Sequence, residues 1–238
     1  MSNIVGLLVL CSFLFYLVLG YYQGLIKSSL GLAGMGVSLL GAGLFYGNLA
    51  AWVRAGGKVI PQLLYYSEGK DMLKDTMLIR RAVDTVTAGN YDKLMENVSL
   101  PHPIGALFRD NVLGRVFENQ GITTMGDYIG MTIANVTVNI LCFLAVYMVI
   151  RLVWSVAVHA WDAAKPLPFL AYVDGLAGAG VGALRCVVGL LLVFTLTPVV
   201  LTYVPAREIA SIFDRFNGLP FYYKNNIIFR FIRGTIVR

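Results

Sequence analysis

The residues of this sequence that could do chemistry are polar side chains inside apolar segments. Arg185 lies in the apolar run 176–203, and Asn135 and Asn139 lie in the apolar run 129–154. An arginine inside a membrane segment marks a functional position by default and needs a partner, such as a carboxylate or a lipid phosphate. The two asparagines either hydrogen-bond between helices or, with Arg185, line a polar path. Residue type alone leaves both alternatives open.

The sequence contains no pattern typical of a catalytic or metal site. Its two histidines, His102 and His159, are typical of a turn residue and an interface residue rather than of ligands, and HExxH, GxSxG and P-loop motifs are missing. Cys11, Cys142 and Cys186 lie in apolar runs without CxxC spacing, which is typical of small buried hydrophobic residues. We therefore predict no catalytic residues, no metal and no cofactor, and we expect the protein not to be an enzyme.

Composition indicates a membrane protein. The chain of 238 residues is 58% hydrophobic and 13% charged, whereas soluble domains carry about 25% charged residues. A net charge of +6 is accompanied by no nucleic-acid-binding motif. Excess Lys and Arg in such a chain indicates headgroup contact and orientation. The lipid bilayer is the predicted partner, and nucleic acid is not.

Four apolar segments are long enough to cross a bilayer, which needs about 20 residues. They cover residues 4–22, 29–53, 129–154 and 176–203. The predicted fold is an all-α polytopic membrane protein with four transmembrane helices. Its predicted regions are a hairpin over 1–53, a loop region over 54–128, a second hairpin over 129–203, and a basic membrane-surface tail over 204–238.

Two stretches of the long loop, 71–86 and 103–118, place apolar residues at helical spacing. They predict amphipathic helices that lie on the membrane or on the transmembrane core. The tail is predicted to add another from about residue 205, followed by a basic, aromatic segment. A small soluble subdomain in the loop is the alternative.

Small residues line one face of each of two apolar segments. At helical spacing these faces comprise Gly175, Gly178, Gly182 and Gly189 in the last segment, and Gly36, Gly43 and Gly47 in the second. Gly34, Ser38 and Ala42 line a neighbouring face of the second segment. Such faces let helix backbones approach closely in membranes. The pattern predicts a packing seam, either between these helices or with copies of the chain.

The first two apolar segments are joined by a short stretch with little charge. Gly20, Tyr21 and Gly24 are followed by Lys27, the first charged residue of the chain. Tyrosines favour the headgroup level of a bilayer. The stretch predicts a tight turn at the membrane interface.

These four residues, with Gly178, Gly182 and Arg185, resemble the bacterial colicin V production protein (CvpA) family. In that family a glycine–aromatic–basic–glycine turn follows an uncharged first span, and the last span carries small residues four apart with a basic residue after them. The present chain has Tyr22 and Gln23 in the turn, where the family usually has basic residues. The resemblance covers about 3–53 and 170–200.

The resemblance implies a multi-pass protein of the bacterial cytoplasmic membrane, linked to toxin production and envelope maintenance, with no established catalytic activity. It favours a scaffold or accessory factor that works with other membrane proteins or as a homo-oligomer. A small transporter or channel component using Asn135, Asn139 and Arg185 is the alternative.

Two arguments about membrane orientation conflict. The resemblance places the two short turns in the cytoplasm, whereas the positive-inside rule places the long loop and both termini there. The charges that favour the long-loop side are Arg54, Lys58, Arg115, Arg207 and Arg215, against Lys27, Arg151 and Lys165.

Overall fold

The computed structural model describes residues 4–67, 73, 75–98, 100, 103–160, 171–203 and 225–232. Within these ranges the fold is all-α, as predicted, with no β-strand and one isolated bridge between Ala82 and Thr124. The helices are α1 (Ile4–Ala55), α2 (Val59–Tyr66), α3 (Thr76–Arg80), α4 (Ala88–Leu94), α5 (Ile104–Leu113), α6 (Met125–Ala160), α7 (Ala171–Phe194) and α8 (Thr197–Tyr203).

Three helical segments are long and apolar enough to cross a membrane. They are Val5–Ala55, Met125–Val158 and Tyr172–Tyr203. The first comprises 51 residues, so as a straight helix it would be more than twice the thickness of a bilayer core. This length makes the geometry within α1 the important question for the fold.

Helix α1 bends sharply at Gly24. The backbone there has φ 72° and ψ 178°, outside the helical region, and only glycine adopts this combination readily. The Ser28 hydroxyl donates to the Gly20 carbonyl oxygen at 3.3 Å. In a straight helix, residues eight positions apart are separated by about 12 Å along the axis, so this hydrogen bond requires the bend.

The contacts of α1 with α7 show that the bend reverses the chain. Before it, the backbone at Tyr16 and Gly20 meets Gly182; at Gly24 the partner is Asp174, eleven positions before Arg185. After it, Gly31 meets the Arg185 side chain. The chain therefore approaches the start of α7 up to Gly24 and moves away afterwards. We call residues 4–23 arm 1 and residues 25–55 arm 2 of this helical hairpin.

The last apolar segment, predicted as one helix over 176–203, is interrupted at residues 195 and 196. Pro198 has no N–H, and its ring collides with the carbonyl group four residues earlier in a continuous helix. The Leu191 carbonyl oxygen accepts a bond from the Thr195 hydroxyl at 2.8 Å and another from the Asn226 side chain at 2.8 Å. The Leu191 carbonyl also keeps its backbone bond from the Thr195 N–H at 3.0 Å, so these side chains add hydrogen bonds just before the interruption.

The chain divides into two compact units. Unit 1 comprises Met1–Tyr46, Phe143–Thr195 and Ala210–Ile228. Unit 2 comprises Gly47–Cys142, Leu196–Ile209 and Phe229–Arg238. Arm 1, α7 and parts of arm 2 and α6 therefore belong to unit 1, and the long loop belongs to unit 2.

In unit 2 the loop packs around the beginning of α6. The prediction of one helix over 71–86 is wrong: α3 ends at Arg80, Arg81 and Ala82 are extended, and a short 3₁₀ turn covers Val83–Thr85. The reason lies elsewhere in the sequence. Val83 donates its N–H to the Thr123 carbonyl at 2.8 Å, and the Arg81 carbonyl accepts from the Met125 N–H at 2.9 Å.

The predicted helix over 103–118 is shorter, and α5 ends at Leu113. Its Ile104, Phe108 and Val112 are buried, as are Phe117 and Tyr128, whose rings meet at 5.3 Å between centroids. The loop thus has an apolar core of its own against α6. The helix predicted from residue 205 lies outside the described residues.

Candidate functional site around Arg185

In unit 1 the hairpin of α1 lies directly against α7, backbone to backbone. A Cβ atom built on Gly178 would lie 2.6 Å from the carbonyl carbon of Gly24, and one built on Gly20 would lie 3.0 Å from the Cα of Gly182. Real Cβ contacts are essentially never shorter than 3.0 Å. Glycine at these positions is therefore what allows the approach, as in other close helix contacts in membranes.

Asp174 of α7 fixes the bend of the hairpin. Its carboxylate accepts a hydrogen bond from the Leu25 N–H at 3.0 Å, where arm 2 begins. The first N–H groups of a helix have no partner within the helix, and a carboxylate there also interacts favourably with the helix dipole. Asp174 is 9% exposed, so a buried charge from one helix caps the start of another.

Arg185 points from α7 into the hairpin. Its Nη1 donates to the Gln23 side-chain oxygen at 2.8 Å, and its guanidinium carbon lies 5.8 Å from the centre of the Tyr16 ring. The arginine is 9% exposed, and its buried Nε has no hydrogen-bond partner. Gly31 leaves room for this group, because a Cβ there would lie 2.8 Å from the guanidinium carbon.

A second arginine lies on the same face of arm 2. The side chains of Arg151 and Trp154 on α6 occupy the space beside Gly34, one turn from Gly31. The Trp154 indole donates to the Leu30 carbonyl oxygen at 3.2 Å. Arg151 is half-buried and carries the same charge as Arg185. Two guanidinium groups therefore lie against arm 2 at the glycines Gly31 and Gly34, which have no side chains.

The predicted polar-path residues Asn135 and Asn139 lie in unit 2, and Arg185 lies in unit 1. Asn139 is fully buried, and its side-chain oxygen accepts a hydrogen bond from Arg54. Asn135 donates to the Met131 carbonyl oxygen at 2.9 Å within its own helix. The Asn139 bond matches the alternative of polar contacts between helices, whereas the Asn135 bond stays within α6.

The predicted seam residues have different surroundings. Gly175 packs on Tyr21, whose ring atom Cε2 would lie 2.8 Å from an added Cβ. Gly36 is exposed, and nothing lies within 4 Å of the Cβ position at Gly36 or Gly189. Gly43 and Gly47 are half-buried.

On arm 2 the neighbouring face, Gly34, Ser38 and Ala42, is buried instead. The Ser38 hydroxyl donates to the Gly34 carbonyl oxygen at 2.7 Å. The hydroxyl therefore has its hydrogen-bond acceptor within the same helix and needs none on a neighbouring helix. The buried face is therefore rotated about the helix axis from the predicted face of Gly36, Gly43 and Gly47. The spacing of glycines alone does not determine this rotation.

At the predicted interface turn, Gly20 and Gly24 are buried, whereas Tyr21, Tyr22 and Lys27 are exposed. The two glycines and the Tyr21 ring meet α7, whereas in the described residues Tyr22 and Lys27 show no such contact and are exposed. The turn therefore combines close backbone packing with an exposed polar and aromatic edge.

Outside the apolar helices, the most perturbed group is Tyr91 in α4. Burial raises the pKa of this tyrosine to about 12, while the positive charge of Arg109 acts in the opposite direction. The Arg109 guanidinium lies 5.7 Å from the centre of the Tyr91 ring and 3.9 Å from the Asp92 carboxylate. This arrangement stabilises the loop and does not resemble a proton-transfer site.

Sequence reasoning found Arg185 but not its neighbours. The sequence predicted a carboxylate or a lipid phosphate as the partner of Arg185, whereas its partners in the structure are the neutral side chains of Gln23 and Tyr16. Gln23 could have been noticed as a polar residue in the turn. The role of Arg54 was also missed, because a cation at the end of an apolar run is typical of an orientation signal.

No cluster of three or more metal-binding side chains occurs in the part of the chain that the structure describes. Comparison of the sequence and fold with protein-family models, curated proteins and solved structures finds no significant match.

Proposed function

We propose that this chain is a four-span protein of the bacterial cytoplasmic membrane that acts as a non-enzymatic scaffold or accessory factor in envelope homeostasis or toxin production and export. The observation that carries the proposal is the tight backbone contact of the α1 hairpin with α7 at Gly20, Gly178 and Gly182. The named pathway comes from the resemblance to the CvpA family.

The hairpin supports four spans rather than three. Arm 1 and arm 2 each have about 20 residues or more, enough to cross a bilayer core. With α6 and the segment 172–203 they make two antiparallel pairs. Four spans put the bend at Gly24 and the long loop on opposite sides of the bilayer.

Scaffolding is favoured over transport because the polar groups of the apolar helices are used in packing. Asn139 bonds with Arg54, and Thr132 accepts a hydrogen bond from Asn111 of the loop at 3.0 Å. The specific observation that keeps transport as a second candidate is the buried Arg185, whose Nε has no partner.

Topology is tested with single cysteines labelled from each side of sealed vesicles. Lys27→Cys lies beside the bend, and Lys58→Cys and Gly89→Cys lie in the loop region; all three positions are exposed. Cys11, the exposed native cysteine, is replaced first. Four spans predict Lys27→Cys on one side and both loop cysteines on the other. Labelling of all three from the same side would contradict the proposal.

The role is tested by chemical cross-linking in native membranes and by flux in reconstituted vesicles. A scaffold should capture a defined envelope or export protein, and Gly178→Leu should abolish the capture while the exposed Gly180→Leu retains it. Vesicles should show no flux above protein-free controls. Ion or solute flux that disappears in Arg185→Leu would overturn the scaffold and favour the transport alternative.

A further inference from the structure

The guanidinium groups of Arg151 and Arg185 carry two positive charges without a described counter-charge. Neither forms an ion pair within 4.0 Å in the described part of the chain. The nearby carboxylate, Asp174, caps the Leu25 N–H instead. The hydrogen-bond partner of Arg185 is the neutral amide of Gln23, which orients the guanidinium but does not balance its charge.

Two arginine side chains converge on one face of arm 2. Gly31 and Gly34 are one helical turn apart on arm 2, with Arg185 beside the first and Arg151 beside the second. Arginine presents several N–H donors in a planar fork, which matches the oxygens of a phosphate group. The Nε of Arg185 is one such donor, and it is buried without a partner.

Electrostatics gives the reason for an anion. Like charges repel strongly in surroundings of low dielectric constant, and unpaired charges in apolar segments are costly. Arg185 and Arg151 are two cations on the same face of arm 2. An anion placed between them turns this repulsion into two attractions.

We propose that the guanidinium groups of Arg151 and Arg185, which cover Gly34 and Gly31 of arm 2, together bind a phosphate-type anion. The anion is either the headgroup of an anionic phospholipid or free phosphate. The lipid source rests on the proposed membrane location, whereas the anion site itself does not.

The test measures binding to the purified full-length chain by thermal-shift titration. In the first titration phosphatidylglycerol is added to detergent micelles, with phosphatidylcholine as the lipid control. In the second, inorganic phosphate is added, with chloride at the same ionic strength as the control. The variants are Arg151→Gln and Arg185→Gln. The control is Arg109→Gln, which removes one positive charge from an exposed pair with Asp92.

Binding by the wild type should weaken at least about tenfold in each site variant, since a hydrogen bond to a charged group contributes about that factor or more, and should not change in Arg109→Gln. A response to phosphatidylglycerol identifies the lipid source, and a response to phosphate alone identifies the free anion. If neither probe binds, or if Arg151→Gln binds like Arg109→Gln, the proposal is wrong. If Arg185→Gln does not fold, Arg151→Gln alone tests whether the two arginines bind the anion. The cysteine labelling tests the four-span topology independently of the anion site.

Discussion

Replacing Gly178 by alanine should destabilise the protein, although alanine is the better helix former. The added Cβ would lie 2.6 Å from the carbonyl carbon of Gly24 and 2.9 Å from its Cα. Ordinary contacts begin at 3.4 Å. Because the obstructing atoms are backbone atoms, no side chain can rotate away, and α7 and the hairpin must separate by about 1 Å.

The expected cost follows from this separation. Overpacking costs about 1–3 kcal/mol where side chains can adjust, and a gap of 0.5–1 Å forfeits about a quarter to a half of each dispersion contact along the interface. We expect Gly178→Ala to lower the free energy of unfolding by about 2–4 kcal/mol. For a chain of this size that lowers Tm by about 4–16 °C.

The matched control is Gly180→Ala on the same helix. Gly180 is exposed, and no atom lies within 4 Å of its Cβ position, so alanine there should stabilise by about 0.5–1 kcal/mol through helix propensity. Unfolding is followed in detergent by a thiol-reactive dye, because Cys142 and Cys186 are buried; exposed Cys11 is first replaced by serine. Equal Tm values for the two variants would refute the close-contact argument.

Further predictions concern the bend, its cap, the Arg54 contact and the loop. Gly24→Ala should lower the free energy of unfolding by about 1–3 kcal/mol, because its φ of 72° is unfavourable for alanine; an unchanged Tm would contradict this. Asp174→Ala should cost about 0.5–2 kcal/mol, and Asp174→Asn less, because asparagine also accepts the N–H bond; equal losses in thermal unfolding would argue against capping. A double-mutant cycle with Arg54→Met and Asn139→Leu should give a coupling energy of about 1–3 kcal/mol, and additive losses would count against the described bond. Burial raises the pKa of Tyr91 from 10.0 to about 12, so the neutral tyrosine contributes fully to the free energy of unfolding below pH 10 and loses that contribution as pH rises to 12. Chemical unfolding should show a free energy of unfolding about 1–2 kcal/mol lower at the higher pH. Tyr91→Phe should reduce that loss.

Sequence patterns predicted the helical class and the positions of the apolar helices because these depend on local composition. Uninterrupted apolar runs and helical periodicity are visible within about 20 residues. The glycine pairs four apart likewise indicated Gly178 and Gly182, which meet Gly20 and the backbone of Tyr16 in the structure. In these cases the signal and the contact depend on the same few residues.

The loop shows where local patterns fail. Residues 71–86 have the periodicity of one helix, yet Arg81 and Ala82 are extended and pair with residues 123–125. A helix would leave those distant backbone groups without partners, and unsatisfied backbone groups are costly when buried. Periodicity describes one segment at a time and contains no information about this competition.

The bend at Gly24 combines both situations and explains why a sequence with so little charge there can still form a definite turn. Gly24 provides the backbone conformation, but arm 2 lacks a capping side chain of its own at Leu25. Asp174, which follows 149 positions later, provides the missing acceptor and lies beside Gly24. The hairpin and α7 therefore depend on each other, since the turn receives its cap only when the helices are packed. Replacing either residue should loosen the same contact, which makes the bend a property of the assembled unit rather than of residues 20–27.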